Sequence, residues 1–339
     1  MTDISTLSGE AFWLPIIFIG LMGLAFFVYA ILDGYDLGVG ILLPNDSEAH
    51  RDAMIASIGP FWDANETWLV LGIGILLIAF PLAHSQILFH LYIPITIMLA
   101  GLILRGVAFD FRAKSPEDHK KLWDMTFKAG SLLATLSQGF MLGLYVMEFE
   151  QTLIAYAFAA LSAICVTAGY TFIGAAWLVL KTEGELQKRA AWWARLCCWL
   201  MGLGLVAVSI VNPFVSDLIF NKWFGNPLVM ILWVIPFFCF VLLFAVDRYL
   251  KHFPYANDMG CWIPFACATM IFLLSFIGLA YSFYPYVVPN QLDIWEAASA
   301  PESLKFILVG AVIVLPTIIL YTIFSYRVFR GKATQLKYY

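Results

Sequence analysis

Two carboxylates stand three residues apart in an apolar, glycine-rich segment near the N-terminus. Asp33 and Asp36 belong to the run Leu-Asp-Gly-Tyr-Asp-Leu-Gly-Val-Gly, which follows a long apolar stretch. If a helix continues through this run, the two side chains lie on one face of it. Burial and like charge help such a pair to hold a proton, so it would load protons into a path through a membrane. A glycine-rich helix end with two hydrated acids is the alternative, and the pattern leaves both interpretations open.

A second polar cluster opens the next apolar stretch. Asp63, Asn65 and Glu66 stand between Trp62 and Trp68. Either Asp63 or Asn65 is suited to cap a helix N-terminus, where the helix dipole also favours an acid. Capping does not explain why three polar residues stand between two tryptophans in so apolar a chain, whereas a polar group that enters a helix bundle does. Both interpretations stay open.

The third polar cluster is built on Arg105 and Asp110, at the end of another apolar stretch. Arg105 lies inside the apolar run and therefore needs a carboxylate partner or an aqueous path. Because the two residues are five apart, they face each other poorly within one helix. Pairing with Asp33, Asp36 or Asp63 from another helix is one interpretation, and an arginine that snorkels to the membrane interface is the other.

The composition indicates what kind of chain carries these clusters. Apolar residues make up 62% of the 339 residues and charged residues 12%, whereas globular proteins have about 45–50% and about 25%. So few charges cannot cover a surface in water, and the chain is therefore predicted to be a polytopic membrane protein. The net charge of −4, without any basic stripe, also excludes nucleic-acid binding.

The hydropathy pattern predicts an all-α fold with nine membrane-spanning helices. A spanning helix needs about 20 mostly apolar residues. Short links, such as the one at His84-Ser85, make the helices on either side antiparallel neighbours. The predicted spans are Phe12–Leu32, Trp62–Ala83, Gln86–Phe109, Met125–Met147, Thr152–Leu180, Ala194–Val215, Pro227–Val246, Gly260–Tyr284 and Ser303–Phe329.

Lysine and arginine are distributed unevenly between the two sides of these spans. Alternate connections and the C-terminal tail hold seventeen of the nineteen, and the opposite side holds only Lys222 and Lys305. Because cytoplasmic loops carry such an excess, the N-terminus is predicted outside and the C-terminus in the cytoplasm. No hydrophilic stretch is long enough for an extramembrane domain, so residues 1–339 are predicted to form a single integral membrane domain. All three polar clusters then converge on its cytoplasmic edge.

Metal binding and disulfide formation find little support in the sequence. A bis-histidine haem needs two imidazoles that project from facing helices at similar depth, whereas His84 and His90 are six residues apart across a predicted turn. The six cysteines form no CxxC pair and lie in or beside apolar runs, as small hydrophobic residues do. No metal site and no catalytic residue is therefore predicted in this chain. On the outer side, Asp293 and Glu296 are interpreted as helix-capping acids beside an aromatic anchor.

Four segments, taken together, resemble subunit II of the cytochrome bd-type quinol oxidases. The resemblance covers nearly the whole chain in order, and the first two segments are specific in combination. Compact outer connections are similar to those of the cyanide-insensitive branch of that family. The segments are residues 32–40, 60–68, 105–112 and 320–326.

This resemblance implies an architecture and a partner. Subunit II of the family has two four-helix bundles plus one peripheral helix, and it pairs with a similarly folded subunit I. Subunit I carries haem b and haem d, or haem b in place of haem d, and the loop that oxidises quinol. The complex lies in the bacterial inner membrane, oxidises quinol at the outer face and reduces O2 to water with protons from the cytoplasm. A structural quinone in subunit II and small single-helix subunits are further expectations.

The resemblance also implies roles for individual residues, none of which is catalytic in this chain. Acids of subunit II form a proton path in the family, and a tryptophan is associated with oxygen access. We add the neighbouring glutamate and the arginine that lies inside an apolar run. The predicted proton path is Asp33, Asp36, Asp63, Glu66 and Asp110, with Arg105 as charge partner and Trp68 on an oxygen path.

Two other classes of function compete with an accessory oxidase subunit. A proton-coupled secondary transporter would also place acids within its helices, but it would typically show inverted repeats and broken helices, which are not clear here. A purely structural membrane protein would not need acids at the buried ends of its helices.

Overall fold

The computed structural model describes residues 9–215, 217–225, 233–255 and 258–333, without the side chains of residues 217 and 218. This part of the chain is nearly all helical, with one short antiparallel hairpin, β1–β2. The elements are α1 Glu10–Leu42, α2 Glu48–Ile58, α3 Trp62–Ala79, α4 Pro81–Lys114, α5 Glu117–Val146, α6 Leu153–Lys181, α7 Gly184–Val215, α8 Asp217–Phe224, α9 Val234–Lys251, α10 Ile263–Phe283, β1 Tyr286–Val288, β2 Leu292–Asp293, α11 Ile294–Ala297 and α12 Pro301–Val328.

Eight helices in the described ranges are long and apolar enough to cross a membrane, namely α1, α3, α4, α5, α6, α7, α10 and α12. The prediction of a multi-pass helical membrane protein is therefore confirmed. The predicted seventh span, Pro227–Val246, begins outside the described residues. Its described part lies in α9, whose last turn carries Arg248 and Lys251. The count of nine spans stays a prediction.

The first helix does not end at Leu32 as predicted but continues to Leu42. Its glycines allow α6 to approach closely. A Cβ on Gly38 would collide with the backbone carbonyl of Tyr170, and one on Gly174 of α6 would lie 2.7 Å from Val39 N. Small residues of this kind are typical of contacts between membrane helices. The interpretation of a glycine-rich helix end is therefore wrong.

The predicted turn at His84-Ser85 is also wrong. α3 ends at Ala79 and α4 begins at Pro81. Proline lacks an N–H and has a fixed φ, so it is favoured in the first turn of a helix. The link is consequently shorter than the hydropathy pattern indicated, and His84 lies inside α4.

Several helices extend beyond their apolar stretches or lie outside them. α5 begins at Glu117 rather than Met125, and α7 begins at Gly184 rather than Ala194, because acids are well tolerated in a first helical turn. α2 was not predicted; the Ser47 side chain caps it by accepting a hydrogen bond from the His50 N–H. Hydropathy marks only the membrane part of such helices.

The capping role predicted for Asp293 is confirmed. Its carboxylate accepts hydrogen bonds from the backbone N–H groups of Trp295 and Glu296, at 2.9 and 2.7 Å, and so caps α11. Glu296 supplies a backbone donor to this cap and is not itself the cap.

The described chain divides into two compact units. Unit 1 holds residues 9–32, 60–90 and 283–330, and unit 2 holds the described residues within 33–59, 91–282 and 331–333. The predicted single membrane domain means that no part of the chain forms a domain outside the bilayer, which is a different property from this division into units. It stays a prediction.

Unit 1 is held together by aromatic packing and by hydrogen bonds at the end of α3. Phe61 stacks on Tyr326 of α12 with ring centroids 4.4 Å apart. Gly72 leaves room on α3 for the ring of Phe26 from α1. The Ser299 backbone N–H donates to the carbonyl of Ala79 at 2.8 Å.

Unit 2 is built around α6, the most deeply buried of its membrane helices. Gly139 and Gly143 of α5 lie against Ala163 and Ala159 of α6 so closely that added Cβ atoms would approach within 2.5–2.6 Å. Such contacts give the interhelical van der Waals packing that replaces the hydrophobic effect in lipid.

The segment after α12 returns to unit 2 and covers the end of α6. Lys332 Nζ donates to Thr182 O at 2.9 Å and lies 3.0 Å from Asp258 Oδ2. The Ala333 N–H donates to Lys181 O at 2.8 Å. The hydrogen bond from Lys332 lowers the pKa of the Asp258 carboxyl below its usual value.

Candidate functional site

A fully buried ion pair joins α1 to α4. Arg105 Nη1 lies 2.6 Å from Asp33 Oδ1, and the two side chains are 1% and 0% exposed. Among the three partners that the sequence offered for Arg105, the structure shows Asp33. The snorkelling interpretation is wrong, because protein encloses the guanidinium. Such pairing is needed, since an uncompensated buried charge costs several kcal/mol.

Two glycines bring α5 against α4 beside this ion pair. A Cβ on Gly130 of α5 would lie 2.6 Å from Gly101 O and 2.8 Å from Arg105 N. The backbones therefore touch at this point, and α5 closes one side of the space that holds Arg105.

Asp36 lies one turn beyond Asp33 on α1 and is also 0% exposed. Residues 33–40 are all buried, so the interpretation of two hydrated acids is wrong. Positions three apart on a helix lie on the same face. Two carboxyl groups therefore share a buried region with one guanidinium, and this group of three is electrically neutral when it holds one proton.

The aromatic residue between the two acids points to α6. Tyr35 stacks on Trp177 with ring centroids 4.2 Å apart, and Trp177 Nε1 donates to Ser57 O at 3.3 Å. These contacts fix the rotation of α1 about its axis and hence the direction of the acids on either side of Tyr35.

A stripe of uncharged polar residues on α5 was missed in the sequence. Ser131, Thr135 and Gln138 follow one another at intervals of four and three, which places them on one helix face. Thr167 Oγ1 donates to Thr135 Oγ1 at 3.2 Å, and Tyr170 OH donates to Gln138 Oε1 at 2.9 Å. The spacing within an apolar span was the signal that would have revealed them.

This polar stripe runs beside the acidic part of α1. The ring of Tyr170 lies against Gly34, where a Cβ would be 3.0 Å from ring atoms, and Ser131 Oγ lies against Gly40. Hydroxyl groups, which can relay a proton, therefore flank the segment that carries Asp33 and Asp36, and the Gln138 amide accepts a hydrogen bond from one of them.

The second predicted cluster lies at the start of α3, in unit 1. The N-cap position is Phe61, and no side chain caps the helix, so the capping interpretation of Asp63 and Asn65 is wrong. Asp63 is exposed in the first turn and Glu66 is partly exposed. Asn65 is buried instead. Its Nδ2 donates to Leu32 O at 3.4 Å, and its Oδ1 accepts from Tyr326 OH at 3.2 Å.

Trp68 lies two turns into α3 and is 3% exposed. Its indole Nε1 is buried and has no hydrogen-bond acceptor among the residues that the structure describes. A buried polar atom of this kind usually has an explanation in packing or function.

Asp110 lies in the last part of α4 and is exposed. It forms neither an ion pair nor a hydrogen bond with the described part of the chain. The structure thus brings Asp33, Asp36 and Arg105 together in unit 2, and it places Asp63, Glu66 and Trp68 in unit 1. The convergence of all three clusters on one membrane edge stays a prediction.

A second group of buried charges was not predicted as a site. Asp124 of α5 accepts from two arginines: Arg51 Nε at 2.7 Å and Arg112 Nε at 2.5 Å. Arg112 Nη2 also lies 2.7 Å from Asp52 Oδ1. Asp124 is 4% exposed and both arginines are 8% exposed. This network ties α2, α4 and α5 together, and no local spacing in the sequence relates its members.

His84 and His90 do not suit a shared bis-histidine haem. His84 and His90 lie on the same helix, α4, rather than across a turn, so they cannot face each other. In the described ranges there is also no group of three or more His, Cys, Asp or Glu residues that could hold a metal ion, and the six cysteines are free.

Comparison with known proteins gives the family. Residues 14–329 match the family model described as cytochrome bd terminal oxidase subunit II. The chain belongs to this family. The match covers every cluster described above. It favours an oxidase subunit over the alternative of a proton-coupled transporter.

Relatives with curated names agree with the family. Cytochrome bd ubiquinol oxidase subunit 2 of Bacillus subtilis is 29% identical, in an alignment that covers 93% of this chain and 95% of the relative. Cytochrome bd-I ubiquinol oxidase subunit 2 of Escherichia coli is 28% identical, over 93% of this chain and 94% of the relative. A chain in the structure of bd oxidase from Geobacillus thermodenitrificans has the same fold, with a TM-score of 0.77 at 16% identity, over 94% of this chain and 98% of that one.

Proposed function

We propose that this chain is the proton-conducting subunit II of a complex that oxidises quinol and reduces O2 to water. The observation that carries this proposal is the buried group of Asp33, Arg105 and Asp36, beside the polar stripe of α5. Two carboxyls with one guanidinium can take up and release a single proton while the net charge alternates between zero and −1. Such intramembrane acids are expensive and are typically functional.

The charge distribution supports the direction of proton movement. The excess of Lys and Arg indicates that the acidic clusters face the cytoplasm. Protons drawn from that side for water formation, with quinol oxidised at the outer face, make the reaction electrogenic. The complex then lies in the bacterial inner membrane, with nine spans per subunit in two four-helix bundles and a peripheral helix.

The redox centres belong to a partner in this proposal. Haem b and haem d, or haem b alone, held by subunit I supply electron transfer to O2. The residues of this chain hold and move protons through Asp33, Asp36 and Asp110 in unit 2 and through Asp63 and Glu66 in unit 1. Trp68, whose buried indole nitrogen lacks an acceptor in the described chain, is suited to an oxygen path, and a structural quinone and small single-helix subunits complete the complex.

The first test replaces one acid of the buried group. Asp36→Asn keeps the shape of the side chain but cannot release a proton, so quinol-driven O2 consumption should fall by on the order of tenfold or more. Haem content should stay at the wild-type level. Asp118→Asn is the matched control, because Asp118 is exposed in the first turn of α5 and should leave turnover unchanged. Wild-type turnover of Asp36→Asn would refute the proposed path.

A second pair of variants separates proton transfer from folding. Asp33→Asn alone removes a carboxylate that pairs with the buried Arg105 and should reduce assembly, because breaking a buried pair costs about 3–5 kcal/mol. In Asp33→Asn/Arg105→Gln both charges of this pair are gone, and the remaining Asp36 is neutral when it holds a proton, so assembly and haem content should recover. If Asp33 carries protons, turnover of the double variant stays low; recovery of turnover together with assembly would assign Asp33 a structural role only.

A further inference from the structure

We propose that a cleft at the end of α1 binds the phosphate group of an anionic phospholipid. This site is separate from the buried acids and goes beyond the proposed proton path. The cleft is lined by Arg51, Lys121, Lys128, Asp124, Met125 and residues 43–45.

The cleft is positively charged, because Asp124, the one acid in its lining, already forms ion pairs with two arginines. Both oxygens of Asp124 are bound, one to Arg51 and the other to Arg112, at 2.7 and 2.5 Å. The lining therefore contains three cationic side chains and one carboxylate, and each oxygen of that carboxylate already binds an arginine. An anion placed there would compensate the excess charge.

The cationic side chains also have N–H groups that form no hydrogen bond within the described residues. Arg51 Nη1 donates to the carbonyls of Pro44 and Asn45, at 3.2 and 3.3 Å, whereas its Nη2 has no hydrogen bond to any residue in the described ranges. Lys128 Nζ uses one of its three protons on Leu43 O at 3.1 Å. Lys121 is exposed and forms no ion pair within the described chain. A phosphate group, with several acceptor oxygens, matches this set of donors.

The apolar surroundings indicate that the phosphate belongs to a lipid. Met125, which lines the cleft, is 58% exposed, and the same side of α5 continues with exposed Leu122 and Leu132. A headgroup in the cleft would therefore lie at the polar end of an apolar helix face on which its acyl chains can rest. Basic pockets between membrane helices on the cytoplasmic side bind anionic headgroups in other proteins.

The test measures lipid binding to the whole purified complex. The complex is delipidated and titrated with phosphatidylglycerol, with phosphatidylcholine or with inorganic phosphate, and bound molecules are counted by native mass spectrometry. We expect one tight phosphatidylglycerol that phosphatidylcholine does not replace. Lys121→Gln/Lys128→Gln should weaken it roughly 25-fold, since one lysine near an anionic headgroup contributes about a factor of five.

The matched control removes the same charge from the same membrane edge. Lys114→Gln/Lys120→Gln changes two lysines that do not line the cleft, and it should keep the tight phosphatidylglycerol. Equal losses in both double variants would mean general attraction to anionic lipid and would overturn the proposal. So would wild-type binding by Lys121→Gln/Lys128→Gln, or displacement of the lipid by inorganic phosphate at a similar concentration. Because binding is counted without turnover, its outcome does not depend on the proposed proton path.

Discussion

Asp124 shows how much the position of a single acid determines at the scale of residues. It forms ion pairs with two arginines that come from different helices, and all three side chains are almost completely shielded from solvent. A buried pair of this kind is weak evidence for net stability, but removal of one partner is strongly destabilising. Among the residues of this network, substitution of Asp124 should therefore lower the stability of the complex most.

Asp124→Asn should lower the stability of the purified complex by about 3–5 kcal/mol, because it leaves the buried guanidinium of Arg51 without a carboxylate and that of Arg112 with Asp52 alone. Asp52→Asn is the comparison variant. The Asp52 side chain is 41% exposed, and its ion pair within the described residues is with Arg112, so its replacement should cost less than about 1 kcal/mol. Thermal unfolding in detergent measures both. Equal effects of the two substitutions would contradict the central role of Asp124.

The sequence allowed the acidic site to be predicted in part, for physical reasons that differ between residues. Asp33, Asp36 and Arg105 stood out because ionisable groups are rare within apolar runs. Ser131, Thr135 and Gln138 were missed because uncharged polar groups are common in membrane helices, although their spacing was visible. The Asp124 network could not be predicted, since it joins residues 51, 112 and 124 through the fold alone.

At the scale of helices, the position of the acids depends on a contact between α1 and α6. Gly38 touches the backbone of α6 at Tyr170, and Gly174 touches the backbone of α1 in return. The rotation and depth of α1 follow from this contact. It explains why a glycine-rich segment that reads as a helix end continues as a buried helix.

Gly38→Ala should therefore separate α1 from α6 and reduce the yield of assembled complex, because overpacking of a tight contact costs about 1–3 kcal/mol or more. Gly20→Ala is the matched control on the same helix. A Cβ at Gly20 meets nothing within 4 Å, so this change should be neutral or stabilise by up to about 1 kcal/mol. Yield and unfolding temperature of the two variants are compared. Wild-type behaviour of Gly38→Ala would show that the contact is not needed.

Helix existence was easier to predict than helix ends. Apolar stretches long enough to span a membrane locate the main helices, since lipid requires every backbone group to be paired within its segment. The ends depend on other forces. Pro81 sets the start of α4, and Glu117 and Asp118 extend the start of α5 beyond its apolar stretch. Hydropathy detects neither effect.

At the scale of the whole molecule, the imbalance of basic residues predicts one orientation in the membrane. Seventeen of nineteen Lys and Arg residues fall on one side of the predicted spans, and cytoplasmic loops carry such an excess. The proposed entry of protons and the proposed lipid site both depend on this orientation.

Reporter fusions test the orientation directly. Green fluorescent protein at the C-terminus should fluoresce, because it folds in the cytoplasm. Alkaline phosphatase fused after Ser299, before α12, should be active, because the link beside Lys305 is predicted to lie outside. The reverse pattern would place the acidic clusters on the outer face and would contradict proton uptake from the cytoplasm.

The short segment 331–333 makes the native end of α6 depend on residues that are synthesised much later. Lys332 and Ala333 satisfy carbonyl groups at the end of α6, a helix that leaves the ribosome about 150 residues earlier. Until residues 332 and 333 have been synthesised, those carbonyl groups lack their native donors. A nonsense mutation that removes residues 331–333 would therefore leave two carbonyl groups at the end of α6 without these hydrogen bonds.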